Sequence, residues 1–130
     1  MTHRTLASAA PVEVSGADLI VLLYQGCLRF IGHAREAMGA GDYDVTRVNF
    51  LKAQDIVAEL MGSLNMDASP MSANLMRLYD YIHRRLIEAN IRRDDSAAAE
   101  VAQLLSSLLS AWEEAARLTK VEGAALAFEG

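Results

Sequence analysis

The chain has 130 residues, enough for one domain with a sizeable core; 52% of them are apolar and 22% charged. A net charge of −5 excludes a protein that binds nucleic acid by neutralising phosphates, and the densest basic spots, Arg84-Arg85 and Arg92-Arg93, lie beside acidic residues. Ala, Leu and Met supply much of the apolar count while β-branched and aromatic residues are sparse, which sets the class as all-α.

Residues 1–14 contain Pro11 and a Ser/Ala mixture without clear periodicity. They read as a flexible arm in which Leu6, Val12 and Val14 can pack on something. Ser15 is placed to cap a first helix, and Asp18 suits the positive end of its dipole. That helix runs to about Met38, where Gly39-Ala40-Gly41 supplies a left-handed stop. Asp42 caps a second helix reaching about Leu64. After a turn at 65–68, Ser69-Pro70 gives a cap followed by a first-turn proline, and a third helix continues to about Arg93. Asp95 or Ser96 caps a fourth helix to about Leu118, and 119–130, with Gly123, reads as a fraying tail. The expected domain is therefore 15–118, an antiparallel up-down-up-down four-helix bundle with helices about 30 Å long.

At about 100° per residue, the fourth helix buries one stripe: Val101, Leu104, Leu105, Leu108, Leu109, Trp112 and Ala116. The others carry a surplus. In the third helix Met71, Leu75, Leu78, Tyr79, Ile82, Leu86 and Ala89 suffice for a core, yet Met76, His83, Ile87 and Ile91 form a second row. In the second, Ala53, Ile56, Val57, Leu60 and Leu64 make the core stripe and leave Val48 and Leu51 outside it. In the first, Leu19, Leu23, Cys27, Phe30 and Ala34 point one way while Val21, Leu22 and Leu28 overflow. Wide core faces covered by arm and tail would absorb this surplus. So would an exposed groove for an amphipathic partner, or contact between copies of the chain. The methionines Met61, Met66, Met71 and Met76 gather about the turn between the second and third helices, where an adaptable surface would form.

Catalytic and metal chemistry find no constellation. Cys27 is alone in an apolar run and reads as a small buried hydrophobe. Glu36 follows His33 in the reverse of the Glu-x-x-His order that bundle metal sites use, and no second copy exists. No glycine-rich phosphate loop precedes a helix. Neither cofactor nor metal is expected. No signal sequence or membrane span is visible, so the expected compartment is the cytosol. A histidine phosphotransfer bundle using His83 is the alternative, but Arg84-Arg85-Leu86 replaces the lysine and small residue usual after such a histidine.

Three blocks carry a family resemblance. Leu23-Tyr24, Gly26 and Leu28-Arg29-Phe30 in the first helix, Lys52-Ala53-Gln54-Asp55-Ile56 with Glu59-Leu60-Met61 in the second, and Leu78-Tyr79-Asp80-Tyr81 with Arg84-Arg85-Leu86 in the third resemble the FliS family of flagellar secretion chaperones. Trp112 falls where that family often has its tryptophan. The resemblance implies a cytoplasmic bundle, not an enzyme, that binds the C-terminal region of flagellin and prevents premature polymerisation. Such a chaperone assists delivery to the type III export apparatus, with that apparatus and flagellar regulators as further partners. Applied here, the resemblance points to Leu51, Asp55, Met76, His83, Ile87 and Ile91 as partner-binding, with Val48 beside them in the surplus row. Gln25 stands where aspartate is usual, and 1–14 lacks the tyrosine of the family's N-terminal cap, which leaves room for a divergent paralogue with another client.

Overall fold

The computed structural model describes residues 16–129 and, within them, the side-chain surroundings of 16 and 18–118. Ser15 and the arm 1–14 lie outside the described residues. Four helices follow one another there: α1 (Gly16–Gly39), α2 (Tyr43–Gly62), α3 (Pro70–Arg92) and α4 (Asp95–Glu129).

The α1–α2 and α3–α4 connections share one design. Gly41 takes a positive φ of 78° after α1, its amide bonds Met38 O at 3.1 Å, and the Asp42 amide bonds Ala37 O at 2.9 Å. This paired closure satisfies the carbonyls that the helix end leaves free. Asp42 then turns to the next helix, and its side chain accepts the Val45 amide at 3.3 Å. After α3, Arg93 adopts the left-handed conformation (φ 52°, ψ 49°) and the Asp94 amide bonds Ala89 O at 3.0 Å. Its side chain accepts from Ser96 (3.0 Å) and Ala97 (3.3 Å). The cap of α4 is thus Asp94, not Asp95 or Ser96 as the sequence suggests. Because Arg93 turns the chain, Asp94 becomes the half-in residue and Asp95 already belongs to the first turn. A left-handed non-glycine costs about 1–2 kcal/mol. Stacking of the Arg93 guanidinium 3.7 Å from the Tyr43 ring centroid offsets part of that. Asp42→Ala and Asp94→Ala should each lower stability by about 1 kcal/mol in urea unfolding. An unaffected Asp94→Ala beside a destabilised Asp95→Ala would return the cap to the next residue.

α3 opens differently. Ser69 is extended and makes no side-chain cap bond, so the start rests on Pro70, whose fixed φ suits the first turn. α4 does not end near Leu118 but runs on to Glu129. Gly123 is the weakest helix former there, and Ala124, Ala125, Leu126 and Ala127 follow it.

Contacts between elements fix the topology. The thiol of Cys27 donates to Ala53 O at 3.6 Å, and at Gly26 a Cβ would already meet the Ile56 side chain of α2 at 3.4 Å, so the glycine lets the two helices lie close. Arg35 near the end of α1 grips Asp95 at the start of α4 through two N–H donors, at 2.8 and 3.0 Å. On the facing pair, Tyr81 Oη donates to Glu100 (2.6 Å), and Arg85 donates to Glu100 and Glu88 (2.8 Å each). Late residues of one helix meet early residues of the next, so the bundle is up-down-up-down with α1 closing against α4. The Arg35 guanidinium holds the Asp95 carboxyl below its usual range; hydrogen bonds from Tyr81 and Arg85 do the same to Glu100.

The core contains Tyr24, Cys27, Ile31 and Ala34 of α1, Phe50, Ala53, Val57 and Leu60 of α2, Tyr79, Ile82, Leu86 and Ala89 of α3, and Ala97, Ala98, Val101 and Leu105 of α4. Leu19 and Met71, assigned to the core by sequence, are exposed (52% and 71%). Tyr24, Ile31 and Phe50 occupy core places the sequence stripes missed. Tyr24 can be buried because its hydroxyl pairs with that of Tyr79 across the bundle at 2.7 Å, with Trp112 acting on both. Burial, first of all, raises the pKa of both tyrosines. Burial likewise pushes the Cys27 thiol up to about 12, which keeps it protonated and inert at neutral pH.

Candidate functional site

α2 shows two opposite faces. Thr46, Phe50, Ala53, Val57 and Leu60 turn inward, and the Thr46 hydroxyl is satisfied by Asp42 O at 2.8 Å. Val48, Leu51 and Asp55, spaced by three and four residues, lie on the outer face and are exposed, Leu51 by 40%. On α3 the inward residues Tyr79, Ile82, Leu86 and Ala89 leave Met76, His83, Ile87 and Ile91 along one flank. Ile91 is 76% exposed, and the other three are half-buried.

That flank faces α2. A hollow of about 170 Å³ at one end of the two helices is lined from α2 by Tyr43, Thr46 and Arg47 and from α3 by Asn90 and Ile91. Two helical turns further into the bundle, α2 presents Gln54 and antiparallel α3 presents His83, so these residues lie level with each other. Leu51 and Ile87 bracket them on the outer side. The result is a shallow channel between α2 and α3 with aliphatic walls and polar residues at intervals, suited to an apolar segment laid along it and not to enclosing a small molecule.

Asp55 stands apart from the α3 row. It lines a second depression, of about 300 Å³, with Glu59 and Ile56 of α2 and Leu19 and Leu23 of α1. Both flanks of α2 therefore carry exposed apolar surface. The sequence places surplus on α1 at Val21, Leu22 and Leu28 but assigns Leu19 and Leu23 to the core, so it does not reveal this depression. Exposed Met66 and Met71 extend the apolar surface at the α2–α3 turn.

The remaining chemistry is structural. A larger hollow of about 860 Å³ near the end of α1 includes Arg35 and Asp95, which already bind each other. The cations beside His83 are taken: Arg84 by Asp80 at 3.0 Å, Arg85 by Glu88 and Glu100. Neither is held ready for a phosphoryl group on the imidazole. Among the described residues no three His, Cys, Asp or Glu side chains are grouped to hold a metal, and no helix is long and apolar enough to cross a membrane.

Residues 3–119 match the family described as "Flagellar protein FliS". The chain is 39% identical to the flagellar secretion chaperone FliS of Bacillus subtilis (strain 168) over 98 residues, which cover 75% of this chain and 73% of that protein. It is 33% identical over 108 residues to the protein of the same description from Salmonella typhimurium, covering 82% of this chain and 80% of the relative. The Escherichia coli K12 counterpart is 32% identical over 108 residues, covering 82% and 79%.

Proposed function

From the premise that the chain belongs to the FliS family of flagellar proteins, among them flagellar secretion chaperones, we propose that its client is the C-terminal region of flagellin. The client lies along the channel between α2 and α3. Leu51 on one wall, with Val48 at its outer rim, and Met76, His83, Ile87 and Ile91 on the other meet its apolar face. Asp55, on the outer face of α2 in line with Val48, meets a client that continues round that helix onto Leu19 and Leu23. The complex forms in the cytosol, keeps the subunit from polymerising, and presents it to the type III export apparatus. No bond is made or broken; the chaperone acts by stoichiometric occupation of a segment that would otherwise assemble.

The observation that supports this reading is the exposure of Leu51 on α2 and of Ile91 on the neighbouring α3. Contiguous apolar surface of this kind marks interaction sites in soluble proteins. Titration of the purified chain with full-length flagellin and with flagellin lacking its C-terminal region tests it. Tight 1:1 binding to the first and at least about 100-fold weaker binding to the second is expected, since the truncation removes the whole apolar contact. Equal binding to both overturns the assignment of the client segment.

A further inference from the structure

We propose that the depression between α1 and α2 is a second seat for the client, which takes an aliphatic side chain together with a lysine or arginine one helical turn away, the cation lying against Asp55 and Glu59. This inference rests on the client continuing round α2 onto Leu19 and Leu23, and it adds the chemistry of the residues that the client brings there.

The floor of the seat is aliphatic. Leu19 and Leu23 of α1 and Ile56 of α2 line a hollow of about 300 Å³. Leu19, Leu22 and Leu23 keep the three- and four-residue spacing of one helix face, and Leu19 and Leu22 stand 52% and 55% exposed beside that hollow. Such an open row matches a segment that brings an apolar face of its own.

The rim is anionic and unpaired. Asp55 and Glu59 line the α2 side of the same hollow, four residues apart and both exposed. Like charges at this spacing repel each other. Glu59 also stands in the last turn of α2, where a carboxylate faces the negative end of the helix dipole. Among the described residues no cation pairs with either carboxylate, although Asp80, Glu88, Asp95, Glu100 and Glu114 each hold an arginine. Lys52 of α2 and Arg29 of α1 lie instead by the Phe30 ring, at 5.3 and 5.6 Å from its centroid. A client cation reaching the rim relieves both carboxylates at once, whereas a client carboxylate there meets two like charges and is rejected. Lysine or arginine can lay its methylenes along the aliphatic floor and keep its charged head in water at the rim. The floor supplies affinity, and the rim fixes the orientation of the client and speeds its encounter.

Two double variants test it: Asp55→Asn with Glu59→Gln neutralises the rim, and Asp55→Lys with Glu59→Lys reverses it. The affinity of each full chain for full-length flagellin is measured at about 50 and about 300 mM salt, which screen exposed charges to different ranges. The neutralised variant is expected to bind about 3-fold more weakly at low salt and to lose part of the salt dependence. The reversed variant is expected to bind about 10-fold more weakly at low salt and to recover as salt rises. Replacing the lysines and arginines of the flagellin C-terminal region by glutamine one at a time locates the partner. One replacement should weaken binding to the wild-type chain about 3-fold and leave binding to the neutralised variant unchanged. Equal binding by wild-type and reversed chains at both salts overturns the seat and leaves the channel standing. A lowered urea midpoint of the neutralised variant overturns it too, since the carboxylates would then be engaged in the free chain. So does a free chain that scatters light as a dimer and becomes a monomer on reversal, which assigns the depression to a second copy. A wild-type chain that does not bind flagellin overturns the client reading itself, and this inference with it.

Discussion

Charging both walls of the channel at once, with Leu51→Asp and Ile91→Lys, is expected to weaken flagellin binding by about 100-fold or more while leaving the bundle folded. Each aliphatic side chain fully covered by a partner contributes about 1.5 kcal/mol or more, so losing two removes about two decades of affinity. The charges then add a desolvation penalty inside an apolar contact. The free chain does not rely on either residue: Leu51 is 40% and Ile91 76% exposed, and neither belongs to the buried cluster. Substitutions at such positions usually change stability by less than about 0.5 kcal/mol. Lysine is chosen at 91 because this residue sits in the last turn of α3, where a cation complements the negative end of the helix dipole and an aspartate would oppose it. Binding is read by titration calorimetry, folding by far-UV circular dichroism and urea midpoint. Retained affinity would remove the channel as the docking surface. A collapsed helical signal would show that the two side chains belong to the core.

How much of this was legible in the sequence depends on the range of the interaction concerned. Helix ends governed by neighbours in the chain were readable: Gly41 has to take the left-handed turn, and Asp42 is the carboxylate standing before the next amides. The same logic slipped by one residue at Asp94 because a left-handed Arg93 is held by a ring from a distant helix, Tyr43, and no local pattern announces that. Which stripe of α1 faces inward was misjudged for a related reason. Ranking by hydrophobicity favours Leu19 over Tyr24, and Tyr24 becomes a good interior residue only once Tyr79, from α3, supplies its hydroxyl partner. The surplus rows on α2 and α3 were visible by wheel arithmetic alone, since a helix can turn only one stripe to its core. Their depth was not, and Met76, His83 and Ile87 prove half-buried where Ile91 stands clear.

The largest effect on stability is expected at the hydroxyl pair where α1 and α3 meet across the core. Tyr79→Ala should cost about 3–5 kcal/mol, the range for cutting back a large buried aromatic ring, and a domain of this size has only about 5–15 kcal/mol to lose. The phenylalanine variants separate ring from hydroxyl. Tyr79→Phe keeps the packing but leaves the Tyr24 hydroxyl, 0% exposed, without its 2.7 Å partner, at a cost of about 1–3 kcal/mol. Tyr24→Phe should cost the same by symmetry. The double variant removes both polar ends together and should be closer to wild type than either single change, a coupling of the kind that contacting residues show in a double-mutant cycle. Trp112, the only tryptophan of the chain, stands beside the pair and reports urea unfolding by its own fluorescence. Single and double changes that simply add would mean that the two hydroxyls do not depend on each other, and that the tie between opposite corners of the bundle is one of ring packing alone.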